Sequence, residues 1–187
     1  MVVLTSDHGE EFFEHGSVGH GHSLYEELLR VPLIIRLPAR QHAGTRRSRE
    51  AGLADVLPTL CDILRTPCPT QVQGRSLVSS FAADETPAFP AVSVSEFPSM
   101  GETAVRMGRF KTIFRKMTPV LYDLKNDPTE TTDVSAAFPV TLAALRDALG
   151  VFFADEAARA GLSQPMRAAA LDEASEAGLR ALGYLGD

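Results

Sequence analysis

Apolar residues in this chain fall into different periods, and each change of period marks a change of element. Val2, Val3 and Leu4 form an unbroken apolar run that ends in Thr5-Ser6-Asp7. Such a run suits a strand buried on both faces of a parallel sheet, and polar groups collect at the C-terminal ends of those strands. Residues Gly9 to His22, rich in Gly, His and Glu, read as a loop. Leu24 to Arg30 (LYEELLR) reads as a helical turn or two, and Val31 to Leu37 (VPLIIRL) as a second buried strand, with Pro32 near its start where a lost donor is tolerable. Asp55 stands where it can cap a helix whose apolar positions Val56, Leu57, Leu60, Ile63 and Leu64 recur at the helical period, with Pro58 in its first turn. That helix should cover the sheet.

After the connection from Thr66 to Pro69 and the polar stretch from Ala82 to Pro87, the runs become short and strand-like. Ala91 to Ser95, Thr103 to Met107, Phe110 to Arg115 and Val120 to Leu124 predict a small antiparallel sheet, with Met107-Gly108-Arg109 as a tight turn. Pro139 then opens an amphipathic helix through Leu142, Leu145, Leu149 and Phe152, and the alanine-rich tail from Pro165 to Leu182 reads as helical. The expected organisation is an α/β unit over residues 1–80, an α+β subdomain over 81–160 and a helical tail over 161–187. A parallel strand at the start of the chain needs neighbours on both edges. The expectation is therefore a large N-terminal portion outside these residues, and self-association of the chain without it.

Composition excludes classes rather than naming one. The 187 residues are 44% hydrophobic and 22% charged, ordinary usage for a soluble globular chain. A net charge of -6 and a pI near 5.4 argue against nucleic acid as a partner. Arg46, Arg47 and Arg49 follow Gly44 and read as a solvated turn. Cys61 and Cys68 fit neither a redox pair nor a zinc knuckle; Cys61 sits on an apolar stripe, Cys68 lies between two prolines, and a disulfide between them stays open. The longest apolar runs fall far short of the roughly 20 residues of a membrane helix, and no signal peptide pattern opens the chain. The compartment is open, with the periplasm or the cell exterior suggested for a full-length protein.

Four of the five histidines, His8, His15, His20 and His22, fall within 15 residues, beside Asp7, Glu10, Glu11 and Glu14. A carboxylate next to an imidazole at the end of a buried strand suits a divalent cation, with a hard oxygen and a nitrogen as donors. Taken alone, an Asp-His pair is more often a surface turn with a capping carboxylate and solvated rings. Its context decides between the two readings.

That context is Ser6 to Pro38, SDHGEEFFEHGSVGHGHSLYEELLRVPLIIRLP, which resembles the sulfatase family of the alkaline phosphatase-like superfamily. Asp7-His8-Gly9 is similar to a metal-binding element of that family, Glu14-His15-Gly16 to the EHG that follows it, and Tyr25-Glu26-Glu27 through Ile34 to its YEE…RVPLI segment. VLPTLCDIL (Val56 to Leu64), LYDLKNDPTETTDV (Leu121 to Val134) and LRALGYLG (Leu179 to Gly186) resemble later family elements in the same order. The resemblance implies a partial alkaline phosphatase-like sandwich with parallel strands, followed by the small antiparallel α+β subdomain. It implies metal-dependent hydrolysis of a small-molecule or saccharide sulfate ester, with Asp7 and His8 as ligands of a divalent ion, calcium by preference and otherwise Mn2+, Mg2+ or Zn2+.

Many family members place a sulfate-contacting lysine just before the YEE segment, where this chain reads Gly19-His20-Gly21-His22-Ser23. His20 is expected to take that catalytic and substrate-binding place, with His22 second. Glu14 and His15 are expected to organise the loop. The family's nucleophile, a formylglycine made within a CxPxR motif, is missing: Cys61 is followed by Asp-Ile-Leu-Arg and Cys68 by Pro-Thr-Gln. The formylglycine is expected in the N-terminal portion, and the chain alone is expected to be inactive. Three rivals stand beside this reading. A phosphate mono- or diester or phosphonate hydrolase would share scaffold and ligands. A non-catalytic remnant or binding module would keep the fold alone. A phosphate-binding loop, GSVGHGHS, lacks the lysine it needs and lies about ten residues past its strand.

Overall fold

The period-two segments build the sheet on which the molecule is organised. The computed structural model describes residues 1–48, 50–82, 90–94, 101–115 and 118–160. Strands β5 (Ala91–Val94), β6 (Glu102–Met107), β7 (Phe110–Arg115) and β8 (Thr118–Asp123) form one antiparallel sheet in that order. Met107 pairs with Phe110 across Gly108-Arg109, and Gly108 takes a φ of 61°, the left-handed backbone that a two-residue hairpin loop demands.

Alternation sends the strands' residues to two different partners. Val105, Phe114 and Leu121 point to the face covered by α3 (Pro139–Ala160), where Leu145 is fully buried and Leu142 and Leu149 pack beside it. The expected stripe therefore covers the sheet, except that Phe152 lies outside this cluster. The opposite face carries Ala104, Ile113 and Tyr122, and Leu24, Tyr25 and Leu29 pack against them. Those three flank or belong to α1 (Glu26–Leu29), so the sheet lies between the long helix and the LYEELL segment.

The N-terminal elements depart from expectation. β1 (Val2–Leu4) and β4 (Ile34–Arg36) form a two-stranded antiparallel ribbon with Val2 opposite Arg36 and Leu4 opposite Ile34. Among the described residues every strand pairing is antiparallel, which corrects the expectation of parallel strands here. Burial is corrected as well, because Val2, Leu4 and Ile34 are 54%, 53% and 60% exposed. An apolar run records a demand for cover on both faces; it contains nothing that sets the direction of the partner. Between these strands, the expected loop holds a minimal hairpin of β2 (Glu11–Phe12) and β3 (Val18–Gly19).

Helix α2 (Val56–Leu64) forms where the period placed it, but Leu57 and Leu64 face outward and the buried residues are Thr59 and Cys61. Asp55 does not cap it. Its carboxylate instead accepts the amides of Gly52 at 2.9 Å and Arg75 at 2.7 Å. Thr59 completes this tie: its hydroxyl donates to the Asp55 carbonyl at 2.6 Å and accepts the Leu77 amide at 2.9 Å. Cys61 and Cys68 are both free thiols; burial and the neighbouring Cys61 push the Cys68 thiol up, away from reactivity. No described helix is long and apolar enough to cross a membrane. The tail helix, the unit over 161–187, Arg49 and all but Ala82 of the polar stretch lie outside the described residues.

Candidate functional site

The loop that leaves β1 is shaped by its own acidic residues. Glu11 is fully buried on β2. One of its oxygens accepts the amides of His15 at 3.0 Å and Ser17 at 2.7 Å, and the other meets His22 Nε2 at 2.6 Å. The His22 contact first, and the two amides after it, outweigh burial and hold the Glu11 carboxyl below its ordinary value. The loop is thereby folded around an ionised carboxylate. Glu14 accepts the Phe12 amide at the hairpin tip.

The LYEE segment fastens this loop to the sheet, and each residue has a separate task. Tyr25 lies flat on the His15 ring, with centroids 3.5 Å apart and planes within 3°. Glu27 grips His15 Nδ1 at 2.6 Å. Glu26 turns the other way, to Lys111 Nζ at 3.1 Å and to Arg106. Lys111, on β7 and 1% exposed, also pairs with the fully buried Glu130 at 2.8 Å. Glu130 accepts the Glu26 amide at 2.6 Å with its other oxygen, across 104 residues of sequence. Burial pushes the Glu130 carboxyl up while Lys111 draws it back, so this network contributes more to position than to net stability. Gly9 is needed at the same joint: its amide donates to the Leu28 carbonyl at 2.8 Å, and a Cβ there would stand 1.9 Å from the Glu27 carbonyl oxygen.

Within this frame the expected site residues separate. Asp7 is exposed, and the amides of Asp7 and His8 hold its carboxyl below the ordinary value. His8 Nδ1 lies 2.7 Å from the Gly9 carbonyl, a contact that places the proton on Nδ1, and His8 Nε2 is 4.0 Å from an Asp7 oxygen. Two donors at that span can share one ion at 2.0–2.4 Å from each, so the pair fits a divalent cation. His20 stacks on His8 with centroids 4.0 Å apart, and its Nδ1 meets Glu10 at 3.1 Å. His8, Glu10 and His20 each bring a ligand-type atom within 4.8 Å of the others. His22, by contrast, has its Nε2 engaged by Glu11.

In the sequence Glu10 and Glu11 are acidic neighbours of the histidines with no role of their own. Their signal was the interleaving itself, since each carboxylate finds a histidine ten or eleven residues on. Glu130 stands inside the LYDLKNDPTETTDV element, which marks the segment but not the partner, and Lys111 and Arg106 carry no local signal. Their partners lie far away in sequence.

Comparison with known proteins agrees with the architecture. A family model described as N-sulphoglucosamine sulphohydrolase, C-terminal, matches residues 14–145. Arylsulfatase K of Bos taurus is 33% identical over 159 residues, covering 78% of this chain and 29% of its own length. A solved structure in complex with its substrate D-glucosamine-2-N,6-O-disulfate superposes with a TM-score of 0.70 at 30% identity, over 80% of this chain and 33% of its own. The phosphonate monoester hydrolase of Agrobacterium radiobacter gives 0.69 at 27%, over 82% and 34%. This chain thus spans about three tenths of the length of the curated relative it matches. With the matched region running from the histidine loop through the sheet to α3, the chain belongs to the sulfatase family, whose C-terminal portion it matches.

Proposed function

We propose that this chain supplies the metal- and anion-contacting loop of a sulfuric ester hydrolase that acts on a sulfated saccharide, within an alkaline phosphatase-like sandwich. The observation that carries this reading is the stacking of His20 on His8, which brings the expected anion contact beside the expected metal ligand at the end of β1. Asp7 and His8 hold a divalent cation, calcium by family preference. When bound, the ion supplies positive charge against the sulfate oxygens. His20, oriented through Nδ1 by Glu10, meets the anion through Nε2, where a proton offsets charge growing on the leaving oxygen. His22 belongs to the scaffold with Glu11 rather than to the anion. A saccharide substrate is supported by the disulfated glucosamine bound to a structural relative. The nucleophile, a formylglycine, comes from polypeptide outside these residues, so the chain alone turns nothing over.

A phosphonate or phosphate ester is the second reading, favoured by the similarity to the phosphonate monoester hydrolase. Both are tested on a longer polypeptide that joins this chain to a CxPxR-bearing portion, assayed with 4-nitrophenyl sulfate and phenyl phosphonate. Sulfate turnover that falls at least 100-fold in His20→Ala and Asp7→Ala is expected. Faster turnover of the phosphonate would replace the first reading by the second. Turnover of 4-nitrophenyl sulfate by the 187-residue chain itself, abolished by Asp7→Ala, would overturn the assignment of the nucleophile.

A further inference from the structure

Charge is distributed unevenly along this acidic chain. Residues 28–49 contain Arg30, Arg36, Arg40, Arg46, Arg47 and Arg49 and no aspartate or glutamate, although the net charge is -6. The fold gathers several of them. β4 ends at Arg36, and the segment after it curls so that Arg36, Arg40, Arg46 and Arg47 line a cleft of about 430 Å3 with Phe81. Through Leu37, Gln41, His42 and Phe81 this cleft continues into a second of about 480 Å3, lined by both Arg65 and Asp62.

The four arginines lining the cleft divide into one fastener and three others. Arg47 Nε donates to the Ser80 carbonyl at 2.8 Å and its guanidinium also reaches the Phe81 carbonyl, which pins the segment to the turn Val78–Phe81. Among the described residues no carboxylate pairs with Arg36, Arg40 or Arg46. Arg106, Arg109, Arg115 and Arg159 each have a carboxylate within 4.0 Å. The segment is also strained: Ala39, Arg40 and His42 take φ of 51°, 57° and 52°, a conformation that residues with side chains avoid and that concentrates at functional sites. The His42 and Phe81 rings, 6.3 Å apart, also line the cleft.

The cleft is separate from the histidine loop. β1 and β4 run antiparallel, with Val2 opposite Arg36, so Arg36 and the segment after it leave the ribbon at the end away from Asp7, while Ile34 and Ile35 form the wall of the cleft along β4. We propose that this cleft is a second binding site for a sulfated saccharide chain. Guanidinium groups at its rim take sulfates as charge-assisted, two-pronged hydrogen-bond partners. The rings of His42 and Phe81 take the apolar face of a sugar. The proposal rests on the reading of the substrate as a sulfated saccharide, but not on the catalytic role of His20.

The test measures binding of a fluorescent heparin hexasaccharide to the 187-residue chain by anisotropy at near-physiological salt. Arg36→Ala/Arg40→Ala/Arg46→Ala, confirmed folded by circular dichroism, is expected to bind at least tenfold more weakly, with Arg36→Lys/Arg40→Lys/Arg46→Lys in between. Unchanged affinity in the alanine variant, or no binding by the parent chain, overturns the site. A 12-base-pair DNA duplex that binds as tightly as the hexasaccharide, with the same loss in the variant, overturns its specificity for saccharide. An arginine-dependent affinity that persists while the longer polypeptide shows no sulfatase turnover keeps the cleft and discards only the catalytic reading.

Discussion

The two faces of the C-terminal sheet are covered in different ways. Against α3 the contact is centred on the apolar residues Val105, Leu121 and Leu145, each fully buried, with Thr112 the buried polar residue between Val105 and Leu121. Against the LYEE segment only the middle is apolar, and the margin is an ionic network of Lys111, Glu130, Glu26 and Arg106. An apolar contact stabilises without fixing an angle, whereas paired charges in a dry site cost desolvation and tolerate few geometries. The face that carries the histidine loop uses the second kind. The difference teaches that the sheet acts as a base plate, to which the candidate site is attached through directed polar bonds.

The largest expected effect comes from breaking that attachment. Lys111→Met leaves Glu130 buried without its partner and should cost about 3–5 kcal/mol in urea denaturation. Lys111→Met/Glu130→Leu should recover most of that loss, because the charge and its desolvation penalty leave together. A loss below about 1 kcal/mol in the single variant would mean that both faces are held alike. Next in size is Gly9→Ala, which must displace the Glu27 carbonyl and should cost about 1–3 kcal/mol. Its effect should be local: hydrogen exchange at residue 9 accelerates while amides of β6 and β7 keep their protection. Uniform acceleration across both would contradict the separation.

The smallest effect concerns pH. Desolvation raises the Asp127 carboxyl, but the amides of Thr132 and Thr131 and the hydroxyls of Thr129 and Thr131 outweigh it, so its value is lowered. A lowered carboxylate contributes stability that is present above the unfolded value, about 3.9, and is lost as pH falls through the lower folded one. The Thr131 and Thr132 amides, 2.9 Å and 2.8 Å from Asp127, should lose protection in that acidic window, before the sheet does. Protection unchanged down to pH 2 would remove Asp127 as the organiser of this turn.

Much of the outline was readable in advance. The four strands of the sheet, the turn at Gly108 and α3 form where periodicity placed them, because local pattern and final burial agree there. The ordered motifs located the histidine loop, and Tyr25, Glu26 and Glu27 form its joint to the sheet. Periodicity was a poorer guide at Leu57 and Leu64, where an apolar position records a demand for cover that these residues do not meet.

By itself, then, the order of residues determined which segments become strands and helices and which family the chain resembles, since both depend on spacing along the chain. Only the tertiary structure decided which charges meet. Glu26 and Glu130 are 104 residues apart, and no local pattern of a glutamate names the lysine it will share. The same holds for the histidines: four stand close in sequence, but His22 is drawn to the buried Glu11 and His20 to Glu10 and the ring of His8. That division arises because a side chain's chemistry follows from what lies within a few ångströms of it, and folding alone sets those neighbours.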